Sequence, residues 1–534
     1  MSSKSPHQKQ LINKTCQSPL FSIKIKGFSV APSATNLINT YRMKFIIRLF
    51  PEITIKSRGV RQQYIKQLKK NIRHLVKPIC ELSRVGGCWD LLEVETDPST
   101  SPTQTQAISD ALTRIPGIHH FMETQEHALP DIEGICKLTL SALAERLHNK
   151  TFAVRVQRTG IHSYSSLDLQ KEIGAYLLDH SSAAGVNLKS PEELVLLQIH
   201  HDRLFIVGKR REGLGGYPLG TQENVATLMS GGFDSSVAAY QMLQRGIYTH
   251  FIFFRLGGTA HEEGVKRVAH YLWSQYSQSH QVKFVTVPFE GVVEHILTRV
   301  DQGLMGVILK RAMIRCADAL ARKLKTSALV TGEAISQVSS QTLTNLQVID
   351  QTVSRLILRP LISANKQLII DQAKAIGVAE LCEQIPEYCG VISQRPTSRA
   401  KLTEIETSED AMDSQVLQNA ITSAVIESIT QVLNNTADMP QVEEGLIESE
   451  ADDRVVIIDI RAPDEREASP VKKLEYPVLV LPFYRLHSQF SSLDQSKEYW
   501  LYCDQGIMSK LQTQNLLSAG FTNVKVCPAH LLAQ

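Results

Sequence analysis

Apolar and polar positions follow strand or helix periodicity along most of the chain from residue 43 onward. The run KFIIRLF predicts a strand, and a second strand is predicted at residues 91–94. Between them, apolar side chains recur every three to four positions over residues 60–76 and predict an amphipathic helix. Its apolar face is made of Tyr64, Leu68, Ile72 and Leu75. The N-terminal region is therefore expected to mix strands with a helix.

The pattern changes several times further along, which predicts separate domains. Residues 104–217 alternate strands and helices, as in TFAVRVQRTG and ELVLLQI. From residue 221 to about 395 the order becomes strand, Gly-rich turn, helix, which is typical of a doubly wound parallel sheet. Residues 397–452 are acidic, contain helical stretches such as VLQNAITSAVIESITQVL, and are interpreted as a linker. The last 80 or so residues return to strands.

Length and composition limit the class of protein. A chain of 534 residues exceeds what one hydrophobic core supports, and 43% hydrophobic with 21% charged residues indicates globular domains. The longest apolar runs are strand-sized, so no membrane segment is expected. The nine cysteines are scattered and form no CxxC pair, which argues against a disulfide framework or a metal site. We therefore expect a protein of the reducing cytoplasm.

Charge is segregated along the chain. Residues 1–42 hold five Lys, one Arg and no carboxylate, within a net charge of +3. This leader lacks the apolar core of a signal peptide and the several Arg of a mitochondrial presequence. The expected alternative to targeting is an upstream start codon or a disordered tail before Met43. Residues 56–77 hold eight Lys or Arg and no carboxylate. They predict either a solvated helix face or a surface for a polyanion, with these candidate contacts: Lys66, Lys69, Lys70 and Arg73.

The string VATLMSGGFDSSVAAYQMLQRG carries the most specific chemistry. An apolar strand runs into a Gly- and Ser-rich turn and then a helix, so that backbone N–H groups can surround an anion at the helix N-terminus. Asp234 is a candidate for holding Mg²⁺, and the remaining loop candidates are Ser230, Gly231, Gly232, Ser235 and Ser236. The loop fits a pyrophosphate. It is neither a Walker A loop nor a GxGxxG fingerprint.

This loop resembles that of the PP-loop pyrophosphatases, which split ATP between its α and β phosphates to adenylate a substrate. The family includes GMP and NAD synthetases as well as tRNA-modifying enzymes. The resemblance therefore implies the activation step and leaves the substrate open.

A wider resemblance runs from residue 43 to the C-terminus. The strings KFIIRLFPEITIKS, ALTRIPGIHH, GVILKRAMIR, VTGEAISQVSSQTLTNL, PEYCGVIS and YCDQGIMSKLQ are similar to those of the long bacterial tRNA 4-thiouridine synthetases. The resemblance implies a ferredoxin-like domain at 43–103, a THUMP RNA-binding domain at 104–210, a PP-loop domain at 221–395 and a rhodanese-like domain at 453–534. Residues 1–42 have no counterpart in it.

The resemblance also implies site residues. The adenine nucleotide, ATP, is expected on Leu228, Met229, Lys310, Gly332 and Gln341. In the THUMP domain, FAVRVQRTGIHSYSS supplies Arg155, Arg158 and His162 as phosphate contacts and Tyr164 as a stacking group.

Cys503 ends a predicted strand and precedes a turn and a helix, a setting that favours a thiolate or persulfide. Its loop resembles the rhodanese active-site loop. The family uses the cysteine that matches Cys389 to close a disulfide with the persulfide cysteine. Cys382, seven residues away, is the competing candidate, and Cys527 is expected to be a packing residue.

The resemblance implies that ATP adenylates a tRNA uridine, at position 8, and that a Cys503 persulfide loaded by a cysteine desulfurase replaces the oxygen. It also implies sulfur donation to a thiamine sulfur-carrier protein. Two alternatives stay open. One is a small-molecule adenylating ligase or amidotransferase, and the other is a sulfur-relay protein whose loop is inactive.

Overall fold

The strands of the protein form sheets of eight, six and four members within the part of the chain that can be described. The computed structural model describes residues 42–88, 91–256, 258–385, 396–434, 454–461, 463–470, 476–504 and 506–527. Cys389 and residues 1–41 lie outside these ranges.

The N-terminal elements pack around one apolar core. The predicted first strand and amphipathic helix are confirmed, and the helix buries Tyr64, Leu68 and Ile72 as the periodicity indicated. The elements in order are β1 (Arg42–Leu49), α1 (Pro51–Thr54), α2 (Arg58–Val76), β2 (Arg84–Cys88), β3 (Leu91–Glu95), α3 (Pro102–Thr113) and β4 (Ile118–Ala128).

The second unit continues the same sheet. Its elements are α4 (Ile132–Leu147), β5 (Thr151–Thr159), α5 (Ser166–His180), β6 (Gly185–Val186), β7 (Glu193–His200) and β8 (Arg203–Glu212). The strand order is β2-β3-β1-β4-β8-β7-β5-β6, and β4 pairs antiparallel with both β1 and β8. The structure differs from the predicted division at residue 103, because Ile108 and Leu112 on α3 and Phe121 on β4 lie in the N-terminal core.

The six-stranded sheet has the predicted doubly wound form. Its order is β13-β12-β9-β10-β11-β14, and every neighbouring pair except β11 with β14 is parallel. The elements up to residue 385 are β9 (Val225–Met229), α6 (Phe233–Gln244), β10 (Thr249–Arg255), α7 (Gly258–Tyr276), β11 (Lys283–Pro288), α8 (Glu290–Arg299), α9 (Met305–Leu324), β12 (Ala328–Val330), α10 (Leu343–Asp350), β13 (Leu356–Leu358), α11 (Lys366–Ala375) and α12 (Ala379–Glu383). The strand order reverses beside β9, which is where open α/β sheets bind ligands.

Part of the predicted linker belongs to this domain. Residues 402–428 form α13 (Leu402–Asp410), α14 (Ser414–Thr422) and β14 (Val425–Ser428). Ile405 and Ala420 are buried in the core, and the Arg311 guanidinium donates two hydrogen bonds to Glu409 (2.8 and 2.9 Å). The stretch expected to be helical thus ends in a strand that pairs with β11.

The C-terminal domain is a parallel sheet ordered β16-β15-β17-β18. Its elements are β15 (Val455–Asp459), α15 (Pro463–Ala468), β16 (Val478–Val480), α16 (Phe483–Gln489), β17 (Glu498–Tyr502), α17 (Ile507–Ser518) and β18 (Val524–Val526). Leu486, Phe490, Leu501 and Leu516 fill its core. Cys503 follows the end of the central strand β17.

Candidate functional site

The Gly- and Ser-rich turn joins β9 to α6 as the sequence predicted. Gly231 adopts a φ of +85°, a conformation open to glycine, and Gly232 caps α6. The Ser230 N–H donates to Ser235 Oγ (3.2 Å), and the Ser236 hydroxyl donates to the Gly232 carbonyl (2.9 Å). The serines therefore hold the turn in shape, while backbone N–H groups at the start of α6 supply the anion site.

A histidine on α7 fixes the turn from the other side. His261 is 5% exposed, and its Nε2 donates to the Ser230 carbonyl (3.2 Å). Burial lowers the pKa of His261 to about 4, so the ring is neutral at pH 7. It therefore supports the loop without adding charge.

Asp234 is held by two side chains that the sequence did not point to. The Lys366 ammonium lies 3.0 and 3.2 Å from its two carboxylate oxygens, and Gln337 Nε2 donates to Oδ2 (2.9 Å). Lys366 is the first residue of α11, and Gln337 lies in the loop after β12. The carboxylate thus positions a cation beside the loop, and both of its oxygens already accept hydrogen bonds. Mg²⁺ would have to arrive with nucleotide phosphates rather than occupy a site built by protein carboxylates.

A second charged cluster lies after β12. Glu333 is 4% exposed, and its Oε2 accepts from Arg359 Nε (2.8 Å) and from the Thr331 hydroxyl (2.9 Å). Lys310 Nζ on α9 lies 3.9 Å from Glu333 Oε1. The cluster brings predicted Lys310 to the carboxyl end of the sheet, together with Arg359, which the sequence did not single out.

The other predicted nucleotide residues surround this edge. A Cβ on Gly332 would lie 2.5 Å from the backbone carbon of Asp234, so only glycine allows the strand end to approach the loop this closely. Gln341 Oε1 accepts from the Ala334 N–H (3.4 Å) and so orders the loop that carries Gln337. Leu228 and Met229 end β9, with Met229 buried.

Cys503 lies where the sequence predicted, at the N-terminal end of α17. Its Sγ accepts a hydrogen bond from the Ser509 N–H (3.2 Å), and the Ser509 hydroxyl lies 3.5 Å away. Gly506, in the left-handed conformation, is the N-cap of the helix. A sulfur anion at this position receives both a backbone donor and the positive end of the helix dipole.

A buried ion-pair network anchors the Cys503 loop. Arg461 donates to both oxygens of Asp459 (2.9 and 2.8 Å) and to Asp504 Oδ1 (2.7 Å), and Asp504 also accepts from the Tyr502 hydroxyl (2.9 Å). Arg461 and Asp459 are almost completely buried. Burial lowers the pKa of Arg461, but its partners outweigh that effect and raise the pKa overall. The network ties the end of β15 to the residue after Cys503.

The remaining thiols differ in their surroundings. Cys382 on α12 is buried against the Ser236 hydroxyl (3.5 Å), and burial raises its pKa. Burial raises the pKa of Cys527 to about 12, which fits the packing role expected of it. Ile385, the last described residue before Cys389, lies beside the loop, because a Cβ on Gly231 would meet its Cδ1 at 2.7 Å.

Three of the four predicted basic residues of α2, Lys66, Lys69 and Arg73, share one groove. It encloses about 500 Å³ and is lined by Arg58, Arg61, Gln62, Ile65, Lys66, Lys69 and Arg73. Lys69 and Arg73 donate to the carbonyls of Gly87 and Val85, while Lys70 is exposed on the same helix and does not line the groove. Arg58 and Arg61 also line this groove and were not among the predicted contacts. Their helical spacing from Lys66 could have indicated that they share its face of α2.

The THUMP candidates are arranged by contacts within their own unit. Arg155 donates to the Leu188 carbonyl (3.0 Å), and Arg158 donates to His162 Nδ1 (3.1 Å), whose Nε2 donates to the His201 carbonyl (2.8 Å). Tyr164, the predicted stacking group, is partly buried. It is stacked on His162, with ring centroids 5.7 Å apart, and packs on the core.

One further cluster was not expected from the sequence. A register shift in the pairing of β4 with β1 places His119 and His120 together, with their Nδ1 atoms 2.9 Å apart and Glu212 nearby. Arg210 already pairs with Glu212 (3.1 Å), and burial lowers the pKa of His120, with Arg210 and Arg48 lowering it further. This positive surrounding disfavours a cation.

Comparison with known proteins agrees with this architecture. Three family models match: "ThiI ferredoxin-like domain" at residues 44–122, "THUMP domain" at 130–207 and "Thiamine biosynthesis protein (ThiI)" at 220–414. No helix among the described residues is both long and apolar enough to span a bilayer. The fold and loop thus define an α/β nucleotide-loop enzyme joined to a THUMP module.

Relatives identify the family. The tRNA sulfurtransferase of Tolumonas auensis is 49% identical over 484 residues, covering 91% of this chain and 99% of the relative. That of Pectobacterium atrosepticum is 48% identical with the same coverage. A crystal structure of "a 4-thiouridine synthetase - RNA complex with bound ATP" has a TM-score of 0.63 at 25% identity, covering 72% of this chain and 99% of the other. The chain belongs to the tRNA sulfurtransferase family and is an enzyme.

Proposed function

We propose that the protein adenylates uridine 8 of tRNA with ATP and replaces its O4 with sulfur carried on Cys503, which gives 4-thiouridine. The observation that carries the proposal is the presence of two complementary sites in one chain. One is an anion-binding loop with a positioned lysine, and the other is a thiol held at a helix N-terminus. Activation and sulfur delivery each need one of them.

The adenylation step uses the edge of the six-stranded sheet. Backbone N–H groups at the start of α6 bind the phosphates, and Lys366 and Lys310 balance the charge that develops as pyrophosphate leaves. Asp234 positions Lys366, and Gly332 lets the end of β12 lie directly against the loop. Mg²⁺ that arrives with ATP would lie nearest to Asp234 among the loop side chains, and it would add its positive charge to that of the two lysines.

The sulfur step uses two cysteines. The terminal sulfur of a Cys503 persulfide, supplied by a cysteine desulfurase, attacks C4 and AMP leaves. A second thiolate then attacks Cys503 Sγ, which forms a disulfide and releases the sulfur on the base. Cys389 is proposed for this role because Ile385 lies beside the loop and four residues span at most about 14 Å. Cys382 is buried under Ser236 and fits the role less well.

The RNA-binding half is proposed to hold the tRNA mainly by its phosphates. Lys66, Lys69, Lys70 and Arg73 lie together on α2, and Arg155, Arg158 and His162 extend the basic surface on the THUMP unit. Replacing the four cations of α2 together should flatten the salt dependence of tRNA binding by about 0.7 to 0.9 log units for each phosphate that is no longer neutralised. An unchanged slope would remove α2 from the interface.

The proposal is tested by measuring AMP release and 4-thiouridine with an unmodified tRNA. Asp234→Ala should bind tRNA but release no AMP. Cys503→Ser should release AMP and form no 4-thiouridine, and Cys389→Ser should form no intramolecular disulfide. AMP release at the wild-type rate by Asp234→Ala would rule out the adenylation site. AMP formed with a small molecule and never with tRNA would favour the ligase alternative.

A second function is sulfur donation to the carrier protein of thiamine synthesis. It is favoured by the self-contained build of the Cys503 loop, which Arg461 and Ser509 hold through contacts inside the C-terminal domain. Asp234→Ala should then support growth without thiamine in cells that lack the protein, and Cys503→Ser should not. Loss of growth with Asp234→Ala would link both functions to the loop.

A further inference from the structure

The C-terminal domain contacts the PP-loop domain through α16 and α17. Arg485 Nε on α16 donates to Glu294 Oε1 on α8 (3.0 Å). Leu297, one turn further along α8, packs against the apolar core of the C-terminal domain. The helix that begins at the Cys503 loop, α17, packs against α7. The two domains therefore meet through a polar pair, an apolar side chain and a helix pair.

The two helices that receive the C-terminal domain lie in different layers of the sheet. Val265 and Leu272 of α7 belong to one core, and Val293 and Ile296 of α8 belong to the other. A single domain can contact both layers only around an edge of the sheet. Val425 and Ile426 on the edge strand β14 are 54% and 42% exposed, so this strand is not the covered edge.

The carboxyl end of the strands is the remaining edge near α8. Arg255, at the end of β10, pairs with Glu262 of α7 (3.4 Å) and with Glu290 of α8 (2.7 Å), so both helices begin there. The helix α8 has only ten residues, and α9 follows it. Lys310 on α9 lies near Glu333, which follows β12 and so is also at the carboxyl end of the sheet. Glu294 and Leu297 thus lie close to the end of the sheet that carries the loop.

A short path of contacts joins the two reactive centres. The Ser230 carbonyl of the loop accepts from His261 on α7, α7 packs on α17, and Ser509 of α17 donates to Cys503 Sγ. The polar pair in this interface is half exposed, with 41% for Glu294 and 45% for Arg485. Exposed pairs of this kind are weak, so the pair can orient the domain without adding much to the strength of the contact.

We infer that the surface formed by α7 and α8 is a docking site for the protein's own C-terminal domain, with Arg485 and Glu294 fixing the docked position from which Cys503 delivers sulfur. This inference rests on the proposed function. The weakness of this pair suits its task, because the same thiol has to leave the docking site to be loaded again by a desulfurase.

The test reverses the charges of the pair in the full-length protein. Glu294→Arg and Arg485→Glu are each compared with the double variant, and Glu404→Arg, which breaks the exposed pair with Lys401 in the same domain, serves as the control. After Cys503 is loaded with persulfide, single-turnover formation of 4-thiouridine is followed beside AMP release. Each single variant should slow sulfur transfer by about 3- to 10-fold and leave AMP release within about twofold. The double variant should recover the wild-type rate within about twofold.

Three outcomes overturn the inference. Wild-type transfer rates in both single variants would exclude a docking role for the pair. Slow transfer in the double variant would show that the charges do not meet in the productive arrangement. If the wild-type protein releases AMP but forms no 4-thiouridine, the proposed function fails as well, whereas the first two outcomes leave it standing.

Discussion

Lys366 provides the sharpest test of the nucleotide site, because its contribution to stability and its contribution to chemistry should differ greatly. Its ammonium lies 3.0 Å from Asp234, with 43% of the lysine side chain and 24% of the aspartate side chain exposed. A pair this exposed stabilises the fold by about 0.2 to 1 kcal/mol. Lys366→Met should therefore lower the free energy of unfolding by less than about 1 kcal/mol.

The same variant should lose far more activity. If the ammonium stabilises charge on the departing pyrophosphate, its removal should cost about 100- to 1,000-fold in AMP release, which is about 2.7 to 4 kcal/mol of transition-state stabilisation. Lys401→Met is the matched control, since Lys401 forms an exposed pair with Glu404 (2.7 Å). It should show a similar small change in stability and no change in AMP release. A loss below threefold in Lys366→Met, measured with saturating tRNA and ATP, would refute the role of this lysine.

Three other predictions follow from burial. Glu409→Gln should lower the free energy of unfolding by about 3 kcal/mol in urea titrations, because Arg311, 5% exposed, loses its counter-charge, while Glu404→Gln should change it by less than about 0.5 kcal/mol. Burial lowers the pKa of His261 to about 4, so below pH 6.5 the unfolded chain binds a proton that the native state excludes. The free energy of unfolding should therefore fall from pH 6.5 toward pH 4. His261→Gln should reduce that fall, whereas the exposed control His148→Gln should not. Cys527→Ser should keep 4-thiouridine formation within about twofold, since burial raises the pKa of this thiol to about 12 and little thiolate exists at pH 7; a loss comparable to that of Cys503→Ser would contradict this.

The sequence predicted what depends on neighbours in the chain. The strand, turn and helix around Ser230 and the position of Cys503 before α17 follow from local patterns, and both are confirmed in the structure. Lys366 and Gln337 could not be predicted in this way, because they lie 132 and 103 residues from Asp234 in the chain and no local pattern links either of them to the loop. Only the order of strands in the folded sheet brings them to the loop.

The linker prediction shows a different limit. The acidic composition of residues 402–428 suggested an exposed linker. Composition alone cannot distinguish a buried carboxylate such as that of Glu409 from an exposed one, because burial depends on its partner Arg311. The strand at Val425–Ser428 was missed because VIES also fits a helical pattern, and pairing with β11 decided between the two.

The attachment of β14 to the sheet also sets a lower limit on the effective concentration of the Cys503 thiol at the nucleotide loop. Only residues 435–453 separate the last described residue after β14 from the start of the C-terminal domain, and a segment of that length spans at most about 70 Å when fully extended. One thiol confined to a sphere of that radius has an effective concentration of about 1 mM, well above what a separate carrier protein would reach in solution. An adenylated base is therefore never far from its nucleophile, and a weak docking contact is sufficient to capture it.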